Sequence, residues 1–212
     1  MPKDFFTYKP DSRPWLIAGM GPTFSQRDKF DLSGYNILGI NRIPTKMKVQ
    51  VCQIIDFYIL QKYHDEIVAN SEYVAIPYYP HFYCRAFPEI NVDHLLITFP
   101  FLKKLDDEGR LLCFNLSTIF PLRVGESPWI KARYFSAEAS FNLLAHLGVK
   151  QIRTLGIDGG KIRSDEFKDH CAPDSRGFDL QWDNINKTVA NFNINYEPLV
   201  KYEPTSETIC LG

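Results

Sequence analysis

The chain has 212 residues, 45% of them apolar and 23% charged, and its 24 basic and 25 acidic side chains leave a formal charge of −1. This length and composition suit one globular domain over residues 1–212 with a substantial core, and they exclude a disordered chain. The near-balance of charge removes any general electrostatic reason to bind nucleic acid or an anionic membrane.

No window approaches the roughly 20 apolar residues that cross a bilayer. The N-terminus carries Lys3 and Asp4 without the long apolar stretch of a secretory signal. A cytoplasmic protein is therefore expected, any attachment to the inner membrane being peripheral and through a partner. Cys52, Cys84, Cys113, Cys171 and Cys210 are widely scattered with no C-x-x-C pair, and read as free thiols in a reducing compartment.

In chain order, Trp15 to Ala18 is a short apolar run closed by Gly19-Met20-Gly21-Pro22, the pattern of a buried strand ending in a tight turn. Tyr35 to Ile40 and the β-branched run Val49 to Ile55 read as two more strands, ending at Asn41 and Asp56. Apolar residues at 57, 60, 63 and 67 predict a helix from Phe57 to Asn70, followed by a strand at Tyr73 to Ile76. Residues 77–100, with Pro77, Pro80, Pro88 and Pro100 among aromatics, read as an irregular excursion. Leu111 to Phe114 reads as a strand, and Ser136 to Leu147 as a helix capped by Gly148. Gln151 to Leu155 is a strand running into Gly156-Ile157-Asp158-Gly159-Gly160; a polar, lid-like loop near 160–178, a helix from Asp179 to Phe192 and a strand at Asn195 to Glu197 complete the chain.

Short apolar strands alternating with helices predict an α/β, Rossmann-like domain, a mostly parallel sheet with helices on both faces. Ligands of such sheets lie beyond the carboxyl ends of the strands. Gly19 to Thr23, Asn41, Asp56 and Gly156 to Gly160 are therefore expected to converge on one cleft.

Two glycines in a turn after a strand let a backbone approach a phosphate, and the following helix start attracts its charge; a tight turn without a ligand has the same residues. The pattern lacks the third glycine of the dinucleotide fingerprint and the Gly-Lys-Ser/Thr of a P-loop, which weighs against NAD-dependent and Walker-type ATPase readings. Asn41 suits a base edge, a ribose hydroxyl or a phosphate oxygen, or a local turn. Asp56 suits a metal or a sugar hydroxyl, or a cap for the helix starting at Phe57.

Leu16-Ile17-Ala18-Gly19-Met20-Gly21-Pro22-Thr23, Gly39-Ile40-Asn41-Arg42, Ser136-Ala137 and Leu144-Ala145-His146-Leu147-Gly148-Val149-Lys150-Gln151-Ile152, leading into Leu155-Gly156-Ile157-Asp158, resemble in order and spacing the blocks of the bacterial CMP-sialic-acid-dependent sialyltransferases. They also resemble a broader group that includes flagellin-glycosylation proteins and the archaeal-type 6-hydroxymethylpterin diphosphokinases. The resemblance implies a nucleotide-binding domain in which Gly19, Gly21 and Asn41 contact the nucleotide and Ser136 sits near the phosphate or donor sugar; Thr23, Asp56 and Gly156 join them as binding candidates from their places at the strand ends. Ser136 also reads as a plain helix N-cap. The sialyltransferases typically carry Asn between the two glycines; Met20 stands there in this chain and offers no hydrogen bond to a phosphate or carboxylate.

The sialyltransferases use a histidine base and no essential metal. His170 in the lid-like loop is the first candidate base and His81 the second, with Lys161, Arg163 and Arg176 available to a leaving phosphate and Tyr78, Tyr79, Phe82 and Tyr83 available for stacking. Asp158 separates the readings. In a diphosphokinase it would hold magnesium together with an acid such as Asp56; in a transferase it would orient the donor or the glycine turn; otherwise it caps the Gly159-Gly160 bend. The expected activity is glycosyl transfer from a nucleotide-activated sugar, a CMP-sugar foremost, to a cell-surface glycan acceptor, with no cofactor required. The alternatives are a magnesium-dependent pterin-type diphosphokinase and a non-catalytic nucleotide-binding module. Homo-oligomerisation is left open.

Overall fold

The computed structural model describes residues 2–82, 85–117, 124–133, 135–159, 162–169 and 178–203. The strands are β1 (Lys3–Asp4), β2 (Trp15–Ala18), β3 (Asn36–Ile40), β4 (Val49–Gln53), β5 (Ser71–Pro77), β6 (His81–Phe82), β7 (Arg85–Ala86), β8 (Leu111–Ser117), β9 (Trp129–Lys131), β10 (Gln151–Leu155) and β11 (Asn195–Pro198). The helices are α1 (Phe57–Lys62), α2 (His64–Asn70), α3 (Val92–Thr98), α4 (Pro100–Asp107), α5 (Ser136–His146) and α6 (Gln181–Asn191).

The main sheet runs β1-β8-β5-β4-β3-β2-β10-β11, with β9 beside β8, and every pairing in it is parallel. β6 and β7 form a separate antiparallel hairpin. β2 and β3 are buried at every position, as strands covered on both faces require. One face of the sheet carries a buried cluster including Phe24, Ile43, Phe57, Ile67, Leu95 and Leu105, from α1 to α4 and the 3-10 turns after β2 and β3. The other carries Phe141, Leu143, Leu144 and Ile185, from α5 and α6. The apolar face of α5 is built as its sequence pattern implies, and the helix ends in a Schellman turn: Gly148 takes φ +82°, and Val149 N–H donates to the Leu144 carbonyl at 3.1 Å.

Two expectations change. The stripe over residues 57–70 is two helices, because Tyr63 leaves helical geometry at φ −122°, ψ 25°. The excursion at 77–100 holds the hairpin and α3, with α4 beginning at Pro100. Asn91 and His94 form a capping box at the start of α3, and Pro100 occupies the first turn of α4, where its missing N–H costs nothing. Pro100 therefore marks a helix start.

From β2 the chain steps through β3, β4, β5 and β8 in one direction, then crosses by α5 to β10 on the other side of β2. The reversal of strand order lies between β2 and β10, where open parallel sheets leave a crevice beyond their carboxyl ends. Among the described residues no helix is long and apolar enough to cross a membrane.

Candidate functional site

The turns after β2 and β10 meet at this reversal and are bonded to one another. Gly19 N–H donates to the Leu155 carbonyl at 2.8 Å, and Gly21 N–H to the Gly156 carbonyl at 2.9 Å. Thr23 N–H donates to Asp158 Oδ2 at 2.8 Å and the Thr23 hydroxyl to Asp158 Oδ1 at 2.6 Å, while Gly156 N–H donates to the same hydroxyl at 2.8 Å. Residues 135 positions apart thus close a cyclic network. Glycine is needed because the backbones touch: a Cβ on Gly156, which has φ +73°, would lie 2.1 Å from the Gly19 carbonyl oxygen. Burial pushes the Asp158 carboxyl up from its ordinary range, against the two Thr23 bonds that pull it down.

Three donors that the sequence reading offered to a phosphate, the N–H groups of Gly19, Gly21 and Thr23, are engaged inside this lock. Asp158 bonds to Thr23, the start of the 3-10 turn Pro22–Lys29, and so holds the glycine turn in place. Met20 is buried in the core cluster that contains Phe24 and Phe167.

The chain after β10 then crosses to the face of the sheet opposite α6. Ser164 N–H donates to the Met20 carbonyl at 2.9 Å, Phe167 packs on Phe24 with ring centroids 5.4 Å apart, Glu166 pairs with Arg27, and Asp169 pairs with Arg42 at 2.9 Å. Residues 162–169 form a strap fixed at four points to the turns after β2 and β3.

Along the rim from β2, Asn41 follows β3 in the left-handed region at φ +55°, with its N–H donating to the Gln53 carbonyl at 3.0 Å. Its side-chain amide makes no hydrogen bond to another described residue. Gln53, at the end of β4, is fully buried; its Oε1 accepts from the Ser140 hydroxyl at 3.1 Å, and its Nε2 has no partner among the described residues. The same hydroxyl lies 3.0 Å from the Ser136 carbonyl, so its one proton is shared between the two acceptors, and the start of α5 is brought to the same end of β4. Ser136 is the first residue of α5, and Phe135 is the cap. Asp56 is the N-cap residue of α1, its carbonyl accepting from Ile59 N–H at 3.0 Å, but its carboxylate makes no capping hydrogen bond. It forms a parallel bridge with His81, whose N–H donates to the Ile55 carbonyl at 2.9 Å. Burial depresses the His81 pKa, the Asp56 charge opposes that shift, and Nε2 is buried without a partner among the described residues.

The structure thus brings Gly19, Gly21, Thr23, Gly156 and Asp158 into direct contact and places Asn41, Gln53, Asp56, His81 and Ser136 around the neighbouring strand ends. Asp56 and Asp158 follow β4 and β10, three strand intervals or about 14 Å apart, too far to share one magnesium ion. Burial lowers the Arg163 pKa. His170, Lys161, Arg176, Tyr83 and Gly160 lie outside the described residues. Sequence reasoning passed over Gln53 and Arg42. The signal for Gln53 was an amide at the end of a strand, in line with the apolar Val49 and Val51; Arg42 showed only as a charge beside Asn41.

No protein-family model matches the chain, and no curated protein does. Among solved structures, it is similar to the sialyltransferase CstII from Campylobacter jejuni in complex with the substrate analogue cytidine-5'-monophosphate, at 15% identity and a TM-score of 0.56 over 90% of this chain and 81% of that one. Monofunctional alpha-2,3-sialyltransferase Cst-I from the same organism gives 13% identity and 0.55 over 94% and 80%. CST-II in complex with a trisaccharide acceptor and CMP gives 15% and 0.51 over 87% and 80%. These likenesses lend no support to the diphosphokinase and flagellin-glycosylation branches of the resemblance. What they establish is the fold: a Rossmann-like α/β architecture shared with the sialyltransferases.

Proposed function

We propose that the chain is a glycosyltransferase that uses a nucleotide-activated sugar, a CMP-sugar foremost, in assembly of a cell-surface glycan. The observation that carries this reading is a fold shared with sialyltransferases solved with CMP, together with polar side chains gathered at the carboxyl ends of the strands beside its topological switch point. Gly19, Gly21, Thr23, Gly156 and Asp158 shape one wall, with Asp158 as a positioning residue. Asn41, Asp56 and Ser136 contact the nucleotide and sugar. In the reaction the acceptor hydroxyl oxygen bonds to the anomeric carbon, the bond from that carbon to the phosphate oxygen breaks, and the nucleotide leaves with the electron pair. The hydroxyl proton passes to a base, His170 in this proposal. No metal enters the scheme.

Thermal unfolding of the full chain with nucleotides and with CMP-, UDP- and GDP-sugars tests the reading, followed by CMP release when glycan acceptors are added. A CMP-dependent rise in Tm and acceptor-dependent release are expected. Magnesium-dependent formation of AMP from ATP would instead identify a diphosphokinase, and a flat response to every nucleotide would overturn both enzymatic readings.

A further inference from the structure

We infer that Arg42 is the oxyanion-recognising side chain of this site, and that its pairing with Asp169 is the contact a ligand oxyanion replaces. The inference deepens the nucleotide-sugar reading and rests on it.

Arg42 follows the left-handed Asn41, and its carbonyl accepts from the N–H and hydroxyl of Thr45 at 2.9 and 2.8 Å, so its backbone is pinned at the end of β3. Its guanidinium carbon lies 4.3 Å from the Tyr63 ring centroid and 5.8 Å from that of Phe167. The residue is only 6% exposed. Nη1 donates to one oxygen of Asp169, while Nε–H is buried with no acceptor among the described residues. A buried guanidinium with an unanswered donor is costly, and the cost falls when an acceptor with two or three oxygens takes several N–H groups together.

Asp169 does not meet that need. Its side chain is 65% exposed, and it reaches Arg42 through a single oxygen. Nor does the strap depend on it, because Ser164, Glu166 and Phe167 hold the same segment at three other points. The Arg27–Glu166 pair makes the contrast: Arg27 rests on Phe24 and none of its nitrogens is buried without a partner. Lys62 Nζ lies 5.2 Å from the centroid of the same Tyr63 ring and sets a second positive charge beside Arg42.

The chemistry fits a nucleotide phosphate or the carboxylate of an acidic sugar. Affinities of the full chain for cytidine, CMP and CMP-N-acetylneuraminate, measured calorimetrically for wild type, Arg42→Gln, Arg42→Lys and Asp169→Asn, separate the two sources. Cytidine is the internal control for folding. If phosphate is the ligand group, Arg42→Gln shrinks the preference for CMP over cytidine by about tenfold. If carboxylate is the group, the same loss falls on the preference for CMP-N-acetylneuraminate over CMP. Arg42→Lys, which keeps the charge and loses the fork, gives an intermediate loss, and Asp169→Asn leaves the affected preference at or above its wild-type value. Unchanged preferences in Arg42→Gln, or a fall in Asp169→Asn matching that in Arg42→Gln, would overturn the inference and leave Arg42 a strap anchor, while CMP binding itself would keep the transferase reading. Failure of the wild-type chain to bind any of the three would remove both.

Discussion

The two halves of the sheet rim are built on opposite terms. Where β2 and β10 end, the N–H groups of Gly19, Gly21, Thr23 and Gly156 and both oxygens of Asp158 are bonded within one network. Beyond β3 and β4, Arg42 Nε, Gln53 Nε2 and His81 Nε2 are buried and have no partner among the described residues. Native proteins rarely leave such groups unanswered, and the three beyond β3 and β4 lie where the proposed ligand would meet them, whereas the unpartnered hydroxyls of Ser71 and Ser164 lie elsewhere. Under the proposed function the glycine turn is scaffold, and its neighbours recognise the ligand.

The largest expected effect comes from breaking the bonded half. Gly156→Ala puts a Cβ against the Gly19 carbonyl at a positive φ, and is expected to cost more than about 4 kcal/mol, seen in denaturant unfolding or as loss of folded protein. Thr23→Val leaves the Gly156 N–H and one Asp158 oxygen unanswered, with an expected loss of roughly 2–4 kcal/mol. Thr23→Ser, which keeps the hydroxyl, should restore most of it; equal losses in the two variants would mean that the hydroxyl relay is not what holds the turns together.

In the other half a substitution should spare stability and harm binding. Gln53→Leu removes a buried amide whose Nε2 has no partner, and Ser140 retains its bond to the Ser136 carbonyl. Its unfolding free energy is expected within about 1 kcal/mol of wild type, with CMP affinity reduced. A variant that unfolds readily yet binds CMP normally would reverse the assignment of the two halves.

The smallest effect is the pH profile of stability. Burial holds His81 below its ordinary value of 6.5, and His146 shifts the same way through burial and Lys131. The unfolded chain therefore takes up protons first. Stability is full above the ordinary value and falls as the pH drops through it toward the folded values. His81→Gln should flatten part of that fall and leave the share due to His146; an unchanged slope would place His81 in a more solvated setting.

Much of the fold was legible because local pattern and burial agree: the apolar runs at Trp15 to Ala18 and Gln151 to Leu155 became neighbouring strands, and Ser136 to His146 became the helix that its apolar face implied. The break at Tyr63 escaped because apolar periodicity continues through it, and α3 and α4 because prolines read as interruptions conceal the Asn91 cap and the Pro100 start. The site was legible as a meeting of two turns. It was not legible as chemistry, since the bonds that occupy the glycine turn join Thr23 to Asp158 and those that define Arg42 come from Tyr63, Phe167 and Asp169, all remote in sequence or across an element boundary.

Amide hydrogen exchange of the full chain with and without CMP tests most directly whether the ligand belongs to the half of the rim with unanswered groups. The amides of Gly19, Gly21, Thr23 and Gly156 should exchange slowly already without ligand, and CMP should slow exchange in peptides covering 40–46, 53–56 and 162–169. Protection by CMP confined to other surfaces, or none at all, would contradict the account.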